Sequence, residues 1–155
     1  MSVQPAVLVV VGSKSDSDHI SDCLALLDAL GIGYDFEICS AHRNPERTAQ
    51  LAVNAKAKGY KAIIAAAGMA AALPGVLASQ TNIPVIGVPL PGSALNGVDA
   101  LYSMVQMPAG VPVAVMAIGK AGAKNAAILA AQIIGLENKE VANKLEQYKQ
   151  TLKQG

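Results

Sequence analysis

The chain has 155 residues, enough for one domain with a full core and no stapling by metal or disulfide. Its 12 Lys and Arg stand against 11 Asp and Glu, a net charge of +1, so no broad field recruits nucleic acid or an acidic membrane, and the expected partner is a small molecule. Hydrophobic residues make up 52% and charged ones only 15%, and that much Ala and Val with so little charge points to surface buried between subunits.

Met1 to Pro5 bring no basic segment, and Ala6 to Val11 is too short for a signal core or a membrane span, so a cytoplasmic protein is expected. Ala6 to Val11 is a continuous β-branched run, which is how a strand covered on both faces reads. It ends at Gly12, and Gly12-Ser13-Lys14-Ser15-Asp16 follows. From Ser17 to Leu30 the apolar positions Ile20, Cys23, Leu24, Leu27 and Leu30 fall at helical spacing, and Gly31 stops the helix. Amides at the start of that helix, with the Ser13 and Ser15 hydroxyls, suit a phosphate, and Asp16 suits sugar hydroxyls. The plainer alternative is that Ser15 or Asp16 caps the helix. His19 falls opposite the apolar stripe and reads as surface, and Lys14 is left out of the site.

Tyr34, Phe36 and Ile38 alternate as a second strand, followed by Ser40-Ala41-His42-Arg43. Imidazole can give and accept a proton near neutrality, which makes His42 the candidate acid/base, and Arg43 offers a fork of donors for phosphate or carboxylate. A solvated imidazole and an Arg43–Glu46 ion pair are the alternatives. Asn44 and Pro45 open a second helix that Gly59 ends. Lys61 to Ala67, Pro84 to Val88 and Pro112 to Ile118 read as three more strands, with helices at Pro74 to Gln80, Val98 to Gln106 and Ala121 to Ile134 between or after them. The small residues from Ala65 to Gly75 permit either close approach to a ligand or tight strand–helix packing, and Pro89 to Gly97 is long enough to wall a pocket.

Strands alternating with helices imply an α/β three-layer sandwich around a doubly wound, five-stranded parallel sheet. One domain over 1–155 is expected, with the sandwich over about 6–135 and a C-terminal helix over about 138–153. Ala121 to Ile134 is apolar nearly all round, which suggests a subunit interface, and the stripe Val141, Leu145, Tyr148, Leu152 on the tail helix needs a partner in the same chain or a neighbour. Cys23 and Cys39 sit in apolar patterns and read as core thiols rather than a disulfide or metal set.

GSKSD, SAHRNP, AGMAAALPG, PVIGVPLPGSALNGVDALYSMVQMPAGVPVA and AIGKAGAKNAAILAA, in this order and spacing, closely resemble the bacterial class I N5-carboxyaminoimidazole ribonucleotide mutases of purine biosynthesis, over about Val7 to Gly135. The resemblance implies a flavodoxin-like fold, a homo-octamer with sites at subunit junctions, and neither a metal nor an organic cofactor. It implies an imidazole ribonucleotide as substrate, with a carboxyl group moving from the exocyclic nitrogen to ring carbon C4. Ser13, Ser15, Asp16, Ser40 and Arg43 match the family's nucleotide-binding positions, with Asp16 on ribose and Arg43 and the serines around phosphate. His42 matches its general acid/base, and Ala41, Gly68, Ala70, Ala71 and Leu73 match positions lining the site, the loop after the third strand lying over the migrating carboxyl group.

Where the family usually reads GAGGAAHLPG, this chain departs at Ala66 for Gly, Met69 for Gly and Ala72 for His. Two alternatives therefore stand beside a mutase. One is direct carboxylation of aminoimidazole ribonucleotide with free carbon dioxide, and the other is a mutase-derived nucleotide-binding or assembly protein whose altered loop has ended catalysis.

Overall fold

The structure is a computed structural model that describes residues 3–155; Met1 and Ser2 of the expected domain lie outside the described residues. The first apolar run forms β1 (Pro5–Val11), whose residues point alternately into two cores. Val7, Val9 and Val11 enter one, Leu8 and Val10 the other, and all five are buried. This two-sided burial is what a continuous β-branched run serves in a central parallel strand.

With β2 (Gly33–Ile38), β3 (Ala62–Gly68), β4 (Val85–Leu90) and β5 (Ala114–Val115), β1 builds one parallel sheet in the order β2-β1-β3-β4-β5. That is the flavodoxin-like order, with the direction of winding reversing between β1 and β3. On the Val7 face lie α1 (Ser21–Ala29), α5 (Lys120–Gly135) and α6 (Lys139–Gln154), contributing among others Cys23, Leu27, Ala127 and Val141 to the core. On the Leu8 face lie α2 (Pro45–Asn54), α3 (Leu73–Ala78) and α4 (Val98–Val105), contributing Ala52, Leu77 and Met104. Burial pushes the Cys23 thiol up to about 12, so it packs as a small hydrophobe and is no nucleophile at neutral pH. Cys39 is likewise buried and free.

Three local expectations need correction. The helix expected over 17–30 is two pieces, a 3₁₀ segment from Lys14 to Ile20 and then α1. The second helix stops at Asn54, and turns carry the chain to Gly59 at φ +85°. The fifth strand pairs only through Ala114 and Val115, beside Ile86 and Gly87, because it is a sheet edge opened by Pro112, which has no N–H to donate. Much of the apolar surround of α5 is packed inside the chain. Gly122, Ala123, Ala126, Ala127, Ala130, Ala131 and Ile134 are buried against the sheet, α1 and α6.

The tail stripe docks in the same chain, with Val141 and Leu145 buried and Tyr148 packed beside them, while Leu152 stays 62% exposed. Asn138 starts this helix by accepting from the Glu140 and Val141 N–H groups.

The join between β5 and α5 has no slack, since a Cβ on Gly122 would overlap the Ala117 carbonyl. Backbone cannot swing aside as a side-chain tip can. Gly122→Ala is therefore expected to cost on the order of 3 kcal/mol and to lower the melting temperature by roughly 6–12 °C. Gln132→Ala, exposed on the same helix, should leave the calorimetric transition almost unmoved.

Candidate active site

Three loops meet because β1 and β2 end level and β3 runs only two residues further, to Gly68. Val11 pairs with Ile38 on one side and Ala66 on the other. The ladder then runs one step further, Gly12 N–H donating to the Ala66 carbonyl at 3.2 Å and Cys39 N–H to the Val11 carbonyl at 2.9 Å. The chains leaving β1, β2 and β3 thus emerge together at the carboxyl edge, at the winding reversal where open α/β sheets hold ligands.

There they enclose a cavity of about 820 Å³, lined by residues 12–16, 40–43 and 67–73 together with His19, Pro91 and Gly92. Its size is that of a small-ligand site. A second cavity of about 710 Å³, near the start of β4, has Lys56 as its sole ionisable lining side chain and offers no comparable chemistry.

Every residue singled out from the sequence lines the larger cavity: Ser13, Ser15, Asp16, Ser40, Ala41, His42, Arg43, Gly68, Ala70, Ala71 and Leu73. The capping alternative for the first loop is not realised, since neither the 3₁₀ segment nor α1 has a side-chain cap. Instead the Ser13 hydroxyl donates to Asp16 Oδ2 at 2.9 Å and lies 2.8 Å from Ser15 Oγ. The amides of this loop open a short 3₁₀ segment rather than a long α-helix, so the side chains carry its chemistry.

The second loop is a tight turn, with the Asn44 N–H bonded to the Ser40 carbonyl at 2.9 Å and the Arg43 N–H to Ser40 Oγ at 3.3 Å. It projects His42 and Arg43 outward, both exposed, while Ala41 turns in. Below it Thr48, buried, donates to the Asn44 carbonyl at 2.9 Å and sits 3.2 Å from Cys39 Sγ. Asn44 Oδ1 accepts from the Arg47 N–H, capping α2 behind Pro45. Arg47 ties α2 back to β2, donating to the Ile38 carbonyl at 3.0 Å and pairing with Glu37. The ion pair at this corner belongs to Arg47. Among the described residues Arg43 has none with Glu46, and it lines the cavity.

The third loop settles how its small residues are divided. Ala65 and Ala66 are packed in the sheet, whereas Ala67 to Leu73 line the cavity. Its backbone folds tightly, the Ala71 and Ala72 N–H groups closing on the Met69 and Ala70 carbonyls at 2.9 and 2.8 Å. That fold requires φ +54° at Met69, a left-handed conformation that a side chain adopts only under strain. The Met69 side chain is 62% exposed at the rim. The Pro89–Gly97 loop reaches the site only at Pro91 and Gly92.

Two lining residues escaped the sequence reading. Lys14 is exposed at the rim, and His19, which α-helical spacing reads as surface, is half-buried in the cavity wall. The missed signal is the 3₁₀ geometry, whose three residues per turn set His19 directly over Asp16.

The sequence profile of the family described as AIR carboxylase matches residues 6–155. The N5-carboxyaminoimidazole ribonucleotide mutase of Saccharolobus solfataricus is 49% identical over 149 residues, spanning 96% of this chain and 93% of that one. The enzyme of the same name from Thermotoga maritima is 50% identical over 149 residues, spanning 96% and 86%. The crystal structure of Treponema denticola PurE aligns with a TM-score of 0.87 at 32% identity, covering 97% of this chain and 92% of that one. Match and fold agree over almost the whole sequence, and the chain belongs to the AIR carboxylase family.

Proposed function

We propose that this chain is an N5-carboxyaminoimidazole ribonucleotide mutase of purine biosynthesis, acting as a single domain on an imidazole ribonucleotide. The observation that carries this is the convergence of a hydroxyl–carboxylate loop, a His–Arg turn and a small-residue loop on one cavity, in a chain half identical to relatives of that name. Arg43 with Ser13, Ser15 and Ser40 holds the phosphate, and Asp16 accepts from ribose hydroxyls. These contacts place the heterocycle between His42 and the Gly68–Leu73 loop.

The chemistry follows from what an imidazole can do in that place. The bond between the exocyclic nitrogen and the carboxyl carbon breaks, releasing carbon dioxide, and the nitrogen keeps the electron pair and takes a proton from His42. Ring carbon C4 then attacks the carbon dioxide, and His42 takes back the C4 proton as aromaticity returns. Walls of backbone, Ala70, Ala71 and Leu73 hold the gas beside C4, which makes its recapture intramolecular. The residues invoked require neither a metal nor an organic cofactor.

The test is conversion of N5-carboxyaminoimidazole ribonucleotide to the C4-carboxylated product, run beside aminoimidazole ribonucleotide with bicarbonate. Faster product from the first substrate supports a mutase, and faster product from the second overturns it in favour of a carboxylase. The left-handed Met69 at the rim favours one further possibility, that the nucleotide binds and the altered loop slows or stops turnover.

The same proposal includes a homo-octamer in the cytoplasm. Beside the Met69 loop, Leu95 and the α4 residues Val98, Tyr102 and Val105 leave an apolar row 42–67% exposed, which a neighbouring subunit would cover. Ser103 of the same helix reaches the Met69 carbonyl at 3.5 Å, so assembly there would bear directly on the site. Light scattering should give a mass several times the 15.8 kDa of one chain, and a mass near 15.8 kDa would refute assembly.

A further inference from the structure

Asp16 and His19 are three residues apart in a 3₁₀ segment, so their side chains eclipse and both line the cavity. Ser13 precedes them in the same series and donates to Asp16 Oδ2. The three form a polar row along one wall. A carboxylate in that row accepts hydrogen bonds and repels anions, so the part of a ligand against it carries hydroxyl donors rather than phosphate oxygens. The rise between eclipsed residues is about 6 Å, comparable with the span of a pentose ring. A sugar seated on Asp16 therefore reaches His19, whose half-buried imidazole offers both a donor and an acceptor nitrogen.

We infer that His19 is a second sugar-binding residue of this site and, with Asp16, selects ribose over 2-deoxyribose. This rests on the proposed ribonucleotide site and extends it to a side chain that makes no protein hydrogen bond or ion pair among the described residues and is half-buried in the cavity wall. The other charged groups of the segment, Lys14 and Asp18, are exposed, and Asp22 of α1 turns to Lys124 of α5 at 3.9 Å. None of them competes for the imidazole. Arg43 and Ser40 of the next loop, with Ser13 and Ser15, remain the groups proposed to hold phosphate.

The probes are ribose 5-phosphate and 2-deoxyribose 5-phosphate, titrated calorimetrically into the full chain. The unmodified protein should prefer the ribose compound. His19→Ala should bind ribose 5-phosphate about tenfold more weakly and leave the deoxy compound within about twofold, the loss of one hydrogen bond to a hydroxyl. His19→Gln, whose amide can donate to the same hydroxyl, should recover most of the loss. Unchanged binding of ribose 5-phosphate by His19→Ala would overturn the inference. So would an equal loss for both sugars, because that reports a phosphate contact or a local collapse. Neither probe carries the base or the carboxyl group, so this result and the turnover assay fail independently.

Discussion

His42→Asn is expected to lower turnover by about three orders of magnitude while the nucleotide still binds within about threefold of the unmodified chain. Asparagine keeps a side chain of similar reach with hydrogen-bonding ends, and what it lacks is a nitrogen that takes up and returns a proton. The site is built so that this change is local. His42 is exposed at the tip of a turn held from below by Ser40, Asn44, Thr48 and Arg47, none of which bonds to the imidazole. Folding should be untouched, and the groups proposed to hold phosphate and ribose, Arg43 and Asp16, stay in place. Single-turnover rates and calorimetric titration of the C4-carboxylated nucleotide read the two effects separately. A comparable loss of binding would mean that the imidazole holds the ligand rather than moving a proton. Asp16→Asn should show the opposite pattern, a KM raised about tenfold with kcat nearly kept, because it removes a charged acceptor from bound hydroxyls and leaves the reacting end alone.

The sheet was legible because its signals are local and strong. Five runs bounded by Gly or Pro, with helical spacing between them, leave little choice but a doubly wound sheet, and the loops that follow the first three strands then have to share an edge. That the candidate residues would line one cavity was legible for that reason, together with a resemblance that named their counterparts. Sequence periodicity was misleading where geometry departs from the regular repeat. His19 lies opposite the apolar stripe only if the chain is α-helical from Ser17, and three residues per turn rotate it onto the cavity wall. The apolar surround of α5 is met in part by the sheet, α1 and α6 of its own chain, a packing that residue type alone does not distinguish from an interface. Neither the cross-loop pairing of Arg47 with Glu37 nor the strain at Met69 has a signature at the level of residue type, since both depend on where distant backbone comes to lie.

Restoring glycine at position 69 should raise kcat/KM by about tenfold, chiefly through KM, with little change in stability. A methionine at φ +54° carries about 1–2 kcal/mol of left-handed strain, which glycine relieves, but glycine also loosens the unfolded chain by roughly 0.5–1 kcal/mol, so the melting temperature should move by only a few degrees. The larger effect is at the rim. Met69 is 62% exposed where the ligand must enter, and pinning its three rotatable bonds against a bound nucleotide costs about 1.5–2 kcal/mol of side-chain entropy. Its backbone is held meanwhile, the Ala71 N–H bonding to the Met69 carbonyl and the Ala72 N–H to the Ala70 carbonyl, so the loop keeps its shape whichever side chain it carries. Met69→Val should confirm the conformational half of this account by destabilising the chain by about 2 kcal/mol, because a β-branched residue tolerates positive φ worst. The double change Met69→Gly, Ala72→His then separates the two functional readings. Measurable turnover by the unmodified chain, raised by the double change, shows that the loop acts through its backbone and that methionine only obstructs it. Turnover that appears only after the double change shows that the altered loop has removed catalysis from an otherwise intact nucleotide site.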